Sequence, residues 1–254
     1  MPLYESSAVT LRSIRLGEAD KIVTFFTRDF GKIKAVAKGA YRPKSRFGGR
    51  LEPFALVRVI AFGKEKAELY RLNSCDMIDP FMRLRGDVGK LSRVYVSAEL
   101  VDVCQREGDV NRQGLEALLG LWRLLADEER PERQDLLLRL FEIRYMSYIG
   151  YRPFLDRCAS CGGEVTGEKV GFNPFKGGAV CRACAAVDSA AFGLSMGALR
   201  LISKSLATPM RRQSRLSAAP GLIAELESVV GGMISAHVRR RILSEKFLKL
   251  QDAG

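Results

Sequence analysis

Two closely spaced cysteine pairs constrain the fold of this chain more than any other feature of its sequence. They are Cys158-Ala-Ser-Cys161 and Cys181-Arg-Ala-Cys184. Each C-x2-C turn presents two thiolates to one ion, and two such turns complete a tetrahedron around it. The pattern therefore predicts one zinc ion per chain in a module over residues 155–190. Four thiolates fill the coordination sphere, whereas a catalytic zinc keeps a water, so the predicted role is structural.

Disulfide bonds and an iron–sulfur cluster are the alternatives to zinc at these cysteines. A cytosolic location disfavours disulfides, and no part of the sequence resembles a redox partner site that would support a cluster. The two other cysteines, Cys75 and Cys104, stand alone in apolar segments. We expect them to be small buried side chains rather than reactive thiols.

The stretch from Gly31 to Arg50 contains seven Lys or Arg residues and no acidic residue. Charged and apolar residues alternate at its start, from Lys32 to Lys38, which predicts a strand with one buried face and one basic face in water. Glycine and proline residues after Lys38 predict a loop. This concentration of positive charge indicates a binding site for a polyanion.

The loop combines its cations with two aromatic rings, Tyr41 and Phe47. Cations that hold phosphates and exposed rings on which bases stack are the components of a single-strand binding groove. The alternative is a solvated loop whose rings fold back onto the core. The predicted DNA contacts in this stretch are Lys32, Lys34, Lys38, Tyr41, Arg42, Lys44, Arg46, Phe47 and Arg50.

The net charge of +12 is concentrated at both ends of the chain, because basic and acidic residues balance over residues 81–192. This distribution indicates two contacts with polyanions or one continuous track. An arginine triplet near the C-terminus lies at the end of a predicted helix, where it equally fits a complement to the helix dipole, a DNA contact or a contact with an acidic protein tail. The predicted DNA contacts in this part are Arg211, Arg212, Arg215, Arg239 and Arg240.

Five short segments with strand character precede residue 80, and turn residues separate them. Such a set fits a small closed barrel such as the OB-fold, whose strand face and loops bind oligonucleotides. Composition alone does not distinguish this fold from an SH3-like barrel. The predicted strands are Val9–Leu16, Ile22–Thr27, Lys32–Lys38, Phe54–Phe62 and Ala67–Leu72.

Helical periodicity replaces the strand pattern after Pro80. The apolar stripes of these helices, together with Trp122, are assigned to the core. The predicted fold is thus α+β, with an OB-fold barrel over residues 1–80 and a helical domain over residues 81–254 that carries the zinc module. The predicted helices run from the N-cap Asp87 to Val103, from Gln113 to Ala126, from Pro131 to Gly150, from the N-cap Ser195 to Ala207, and from Gly221 to Arg241 with an interruption at Gly231-Gly232.

A collinear series of short motifs runs through the chain. Those before residue 55 are Leu11-Arg12, Leu16-Gly17-Glu18, Thr24-Phe25-Phe26-Thr27, Gly31-Lys32, Ala35-Val36-Ala37-Lys38-Gly39-Ala40, Arg42-Pro43-Lys44-Ser45-Arg46-Phe47-Gly48-Gly49 and Leu51-Glu52-Pro53-Phe54. The last is Arg241-Ile-Leu-Ser244-Glu-Lys246-Phe247-Leu248. Together with the cysteine pairs, these motifs resemble the bacterial RecO family of DNA repair proteins over the whole chain.

The resemblance implies an OB-fold, a helical domain, and a recombination mediator that binds single- and double-stranded DNA and anneals complementary strands without ATP. It also implies that the protein and RecR help load recombinase on strands coated by single-strand-binding protein. In the family, the acidic and apolar C-terminal tail of that protein contacts the helical domain. Some family members lack the four cysteines, so the implied annealing does not require a metal in general.

Two motifs of enzymes are incomplete in this sequence. The only histidine, His237, is followed by Val238 and Arg239 and so lacks the H-x-E pattern of zinc deaminases. The segment from Gly162 to Lys169 begins like a phosphate-binding loop but lacks the Lys that precedes Ser or Thr. We therefore expect a binding and annealing protein rather than an enzyme. The alternatives are a zinc-ribbon transcription or translation factor and a nuclease with an unrecognised site.

The N-terminal segment does not resemble a secretion signal. Residues 1–7 lack a basic stretch followed by an apolar core, and no run in the sequence approaches the roughly 18 apolar residues that span a bilayer. We expect a cytoplasmic protein associated with the nucleoid.

Overall fold

The computed structural model describes residues 2–64, 67–240, 242–244 and 248. Within these ranges, no helix has both the length and the apolar character needed to cross a membrane. The described residues fall into two compact units, the first within Met1–Trp122 and Ile242–Gly254 and the second within Arg123–Arg241.

Five strands of the first unit close into a barrel in the order β1-β2-β3-β5-β4, and β4 returns to pair with β1. The β3–β5 pair is parallel, and the other pairs are antiparallel. This five-stranded closed barrel confirms the predicted OB-fold. The strands are β1 (Leu3–Leu16), β2 (Asp20–Thr27), β3 (Gly31–Ala37), β4 (Leu56–Phe62) and β5 (Tyr70–Asp79).

Strand β1 belongs to both sides of the barrel. Its first half pairs with β4, its second half pairs with β2, and the register shifts between Thr10 and Arg12. Such a bulge bends a strand and increases its twist, which closes the barrel. The strand begins at Leu3 rather than at the predicted Val9, and β5 continues past Leu72 to Asp79. The second half of β5 was not predicted, because it contains polar residues with low strand propensity. Pairing with β4 overrides that low propensity.

Three helices of the chain follow the barrel strands: α1 (Met82–Arg85), α2 (Val88–Cys104) and α3 (Arg112–Asp127). The side chain of Asp87 accepts a hydrogen bond from the N–H of Lys90, as expected of the N-cap of α2. Trp122 is fully buried, and its indole N–H donates to Ser97 Oγ at 2.9 Å. A buried indole needs such a partner, so the assignment of Trp122 to the core is confirmed.

The second unit combines helices with a small antiparallel sheet of order β7-β6-β8. The N-cap of α6 is Ser195, whose Oγ accepts from the N–H of Ala198 at 3.1 Å. The elements are α4 (Pro131–Tyr148), β6 (Lys169–Asn173), β7 (Gly178–Val180), α5 (Arg182–Ala186), β8 (Phe192–Ser195), α6 (Met196–Ala207) and α7 (Pro220–His237).

Helix α7 is continuous through Gly231 and Gly232, so the predicted interruption is wrong. A Cβ at residue 232 would lie 3.2 Å from the ring of Phe192 and 3.3 Å from the side chain of Pro174. Glycine therefore permits close packing between α7 and the sheet rather than breaking the helix.

The predicted domain boundary at residue 80 stays a prediction. Helices α1 and α2 belong to the same compact unit as the barrel. The residues of a compact unit lie close together in space. This closeness does not test where an independently folding domain ends.

Candidate nucleic-acid interface and metal centre

The basic loop, which we define as residues 39–50, is fixed at its start to the turn between β1 and β2. The N–H of Tyr41 donates to the carbonyl of Ala19 at 2.9 Å, and the N–H of Gly39 donates to the carboxylate of Asp20 at 2.7 Å. Gly39 has a φ of +69°, which favours glycine. These contacts give the loop a defined starting position on the barrel.

Phe47 anchors the other end of the basic loop. Its ring is 1% exposed and belongs to the hydrophobic core of the barrel, and the 3-10 helix Gly48–Leu51 follows it. The prediction that Phe47 offers an exposed ring to a base is therefore wrong. Burial of a large apolar ring is favourable, and here it fixes the cations on either side of residue 47.

Four cations of the basic loop, Arg42, Lys44, Arg46 and Arg50, are exposed. None of them forms an ion pair with an acid in the described ranges. Arg50 donates to the carbonyl of Arg46 at 3.0 Å, and the guanidinium of Arg46 lies over the ring of Phe47. The loop thus presents four positive charges that no acidic side chain of the described structure neutralises.

Tyr41 remains 48% exposed, as predicted for a ring in the basic loop. Lys21 Nζ lies 4.9 Å and the guanidinium carbon of Arg15 lies 5.2 Å from the centre of its ring. Cations at this distance interact favourably with an aromatic ring. Arg15 and Lys21 were not predicted to lie beside Tyr41. They are partners across the β1–β2 hairpin, so the register of that hairpin would have placed them together.

The predicted exposure of the basic face of β3 is wrong for Lys32, whereas Lys34 is half-buried. Lys32 is buried, and its Nζ donates to the backbone carbonyl of Asp102 and lies 3.5 Å from the carboxylate of the same residue. Burial lowers the pKa of Lys32, against the raising effect of Asp102. Lys34 forms an ion pair with Glu107 at 2.5 Å. Only Lys38, beyond the end of β3, is exposed among the three.

The cause of this burial is the last turn of α2 together with the segment that follows it. The carbonyl of Lys32 accepts from the N–H of Gly108, and a Cβ at Gly31 would lie 2.1 Å from the carbonyl oxygen of Asp109. Residues 102–109 therefore cover the start of β3. No periodicity in β3 itself could have indicated this cover.

The predicted cations near the C-terminus are exposed. Three lie on the 3-10 helix Met210–Arg215, and two follow the end of α7. Arg241 lies outside the described residues. Whether these side chains contact DNA stays a prediction. The exposed residues are Arg211, Arg212, Arg215, Arg239 and Arg240.

The four paired cysteines converge in the second unit. Their Sγ atoms all lie within 4.8 Å of one another, and those of Cys161 and Cys181 are 3.9 Å apart. Tetrahedral zinc with Zn–S bonds of about 2.3 Å requires S–S distances of roughly 3.8 Å. The four thiols therefore fit one tetrahedral metal ion.

Local hydrogen bonds shape the first cysteine turn. The N–H of Gly162 donates to the carbonyl of Cys158 at 2.9 Å, and the N–H of Cys158 donates to the carbonyl of Gly163 at 2.8 Å. Burial raises the pKa of Cys158, but backbone N–H groups, first that of Cys181, outweigh it and lower the pKa to about 6. A thiolate is the form of cysteine that binds a metal, so this turn favours coordination.

The two other cysteines differ from the cluster. Cys75 is buried and Cys104 is half-buried. Burial raises the pKa of each thiol to about 12. Both side chains therefore hold their protons at neutral pH and have little nucleophilic character.

Comparison with known proteins covers both units. The family model described as recombination protein O N terminal matches residues 1–81, and that described as recombination protein O C terminal matches residues 85–246. The DNA repair protein RecO of Symbiobacterium thermophilum is 33% identical over 250 residues, which span 98% of this chain and 97% of the relative. That of Rubrobacter xylanophilus is 35% identical over 243 residues, 93% of each chain. This chain therefore belongs to the RecO family of DNA repair proteins.

Proposed function

We propose that this chain is a recombination mediator that binds single- and double-stranded DNA and anneals complementary strands without ATP. The observation that carries the proposal is the basic loop, which combines four exposed cations without acidic partners in the described ranges with the exposed ring of Tyr41. Two DNA strands repel each other. A protein that holds both strands on basic surface lowers this repulsion and allows the bases to search for complements.

The proposed mechanism uses binding alone. Cations of the basic loop hold phosphates, and Tyr41 stacks on a base. Arg15, which lies over the ring of Tyr41, adds a cation beside the stacked base, whereas Lys21 on the same ring is paired with Glu52 at 3.1 Å. The metal proposed for the cysteine cluster is zinc, which would hold the two turns together and take no part in annealing. The proposed place of action is the cytoplasm, at the nucleoid.

Two protein partners complete the proposal, and the family resemblance suggests both. RecR would act with this chain to load recombinase on coated strands. The acidic tail of single-strand-binding protein would dock on the second unit, where Arg211, Arg212 and Arg215 are exposed and positively charged. Complementary charge increases the rate of such encounters.

An annealing assay with complementary oligonucleotides tests this function. Without ATP or divalent metal, the protein is expected to accelerate annealing of free strands and of strands coated with single-strand-binding protein. Coated strands should no longer anneal when that protein lacks its acidic tail, while free strands should be unaffected. An annealing rate no higher than that without protein, or a sequence-specific footprint on duplex DNA, would contradict the proposal.

The two rings of the basic loop are expected to have different roles. Tyr41→Ala should weaken binding to single-stranded DNA by about 1–3 kcal/mol with an unchanged salt dependence, because a stacking partner is lost and no charge is removed. Phe47→Ala should instead lower the free energy of unfolding by about 3–5 kcal/mol, because it leaves a cavity in the barrel core. Fluorescence anisotropy and denaturant unfolding measure the two effects.

The control for these variants is Tyr95→Ala, which removes an exposed tyrosine of the same unit outside the basic loop. Its DNA affinity should equal that of the wild type. A Tyr41→Ala variant that binds as tightly as this control would rule out the stacking role.

A further inference from the structure

An aromatic cleft lies in the second unit, between the end of α7 and the turn that joins β6 to β7. Its volume is about 180 Å³. We call it the ribbon cleft, and the residues that matter for its chemistry are Tyr151, Arg152, Phe172, Phe175, Met233 and His237.

Two aromatic rings of the ribbon cleft already form a stack. The rings of Tyr151 and His237 have centres 4.1 Å apart and planes inclined by only 12°. Tyr151 is also exposed. When one ring of a stacked pair is exposed to solvent, another planar group can stack on it and extend the pair.

Phe175 lines the cleft and is 68% exposed. A network of hydrogen bonds holds its turn. Asn173 Oδ1 accepts from the N–H groups of Phe175 and Lys176 at 2.8 and 2.9 Å, and Asn173 Nδ2 donates to the carboxylate of Asp188 at 2.8 Å. Asp188 in turn pairs with Lys176. The fold thus fixes the backbone that carries a large, exposed apolar ring, and an exposed apolar side chain on an ordered turn is typical of a binding surface.

The charge around the cleft favours an anionic ligand. Arg152 is exposed, and it forms no ion pair with an acid in the part of the chain that the structure describes. Arg239 and Arg240 follow His237 in the chain and are exposed. A ligand that combines planar rings with negative charge would match this arrangement.

The neighbouring sheet edge is closed to a peptide strand. The N–H of Phe154 donates to the carbonyl of Gly177, and the N–H of Ala179 donates to the carbonyl of Phe154, each at 2.8 Å. These bonds occupy the outer edge of β7, so an extended peptide could not add a strand beside the cleft. A nucleobase needs only a ring face and a cation for its phosphate.

We propose that the ribbon cleft binds an unstacked base of single-stranded DNA, with Tyr151 and Phe175 as stacking partners and Arg152 on the adjoining phosphate. The proposal rests on the proposed DNA-binding function and adds a second strand contact, in a different unit from the basic loop. It gives each unit of the chain its own place for a strand.

Photocrosslinking of the full-length protein tests this proposal. Oligo(dT) with 5-iodouracil at single positions is irradiated with the protein, and mass spectrometry locates the crosslinked peptides. We expect crosslinks to Tyr151 or Phe175 in addition to Tyr41. Phe175→Leu should remove the crosslink at residue 175 and weaken binding to single strands by about 5- to 150-fold, which corresponds to one lost stacking partner.

The matched control is Phe154→Leu, because Phe154 is 48% exposed, belongs to the same unit and does not line the cleft. It should keep both the crosslink and the affinity. Arg152→Ala provides a second variant if Phe175→Leu does not fold, and it should weaken binding and reduce the salt dependence.

Two outcomes would overturn the proposal. In the first, crosslinks are confined to Tyr41 and its neighbours while Phe175→Leu binds DNA normally, which would leave the proposed function intact. In the second, Phe175→Leu loses affinity for an acidic peptide that ends in Phe but keeps its affinity for DNA, which would assign the cleft to a protein tail. Failure of the proposed function is distinct, because the wild-type protein would then neither crosslink to DNA nor anneal it.

Discussion

Substitution of Cys161 by Ser is expected to release the metal and to unfold the cysteine module while the barrel stays folded. Zinc contributes about 10–16 kcal/mol to the folding of small zinc modules, which is comparable to the roughly 5–15 kcal/mol that stabilises a typical domain. The sheet β7-β6-β8 has only three short strands, so few other interactions would replace the metal. Elemental analysis and hydrogen exchange of the two units measure both effects.

The control for this prediction is Cys104→Ser, which alters a half-buried cysteine outside the cluster. That variant and the wild type should each contain one zinc per chain. Protein purified without chelators that contains no metal would contradict the prediction. So would a Cys161→Ser variant in which hydrogen exchange of residues 155–190 is unchanged.

Local patterns predicted much of this structure. The spacing of the cysteines predicted that their thiols converge, because each pair is held within one short turn. Helix starts at Asp87 and Ser195 followed from N-cap chemistry, which involves only the next three residues. The closed barrel followed from five strand segments and their turns, because few other folds close so short a sheet.

Long-range contacts account for what the sequence pattern missed. Lys32 and Lys34 alternate with apolar residues as on an exposed strand, yet Asp102 in the last turn of α2 and Glu107 after α2 neutralise them. Phe47 lies in a polar stretch, yet the barrel has room for its ring. The ribbon cleft joins residues after α4, in the β6–β7 turn and at the end of α7, and no local periodicity relates these segments.

The second large effect is expected from the basic loop. Replacing Arg42, Lys44, Arg46 and Arg50 together by Ala should abolish annealing and greatly weaken binding to single strands. All four side chains are exposed and make no ion pair in the described ranges, so the melting temperature should be almost unchanged. Each cation that neutralises a phosphate releases counterions, which makes affinity depend on salt.

A charge-conserving variant provides the control. Arg42→Lys, Lys44→Arg, Arg46→Lys and Arg50→Lys, combined in one protein, keep the four positive charges and change only the geometry of the donors. Its salt dependence should match that of the wild type, which would separate the charge of the loop from its other properties.

The slope of log affinity against log salt concentration for single-stranded DNA, measured for the wild type and the four-alanine variant, tests the central claim most directly. If all four cations contact phosphates, the slope should be smaller in the variant by about 0.7 per contact, or roughly 3 in total. Equal slopes for the two proteins would contradict the account, because the basic loop would then be a solvated connector and the DNA would bind elsewhere on the chain.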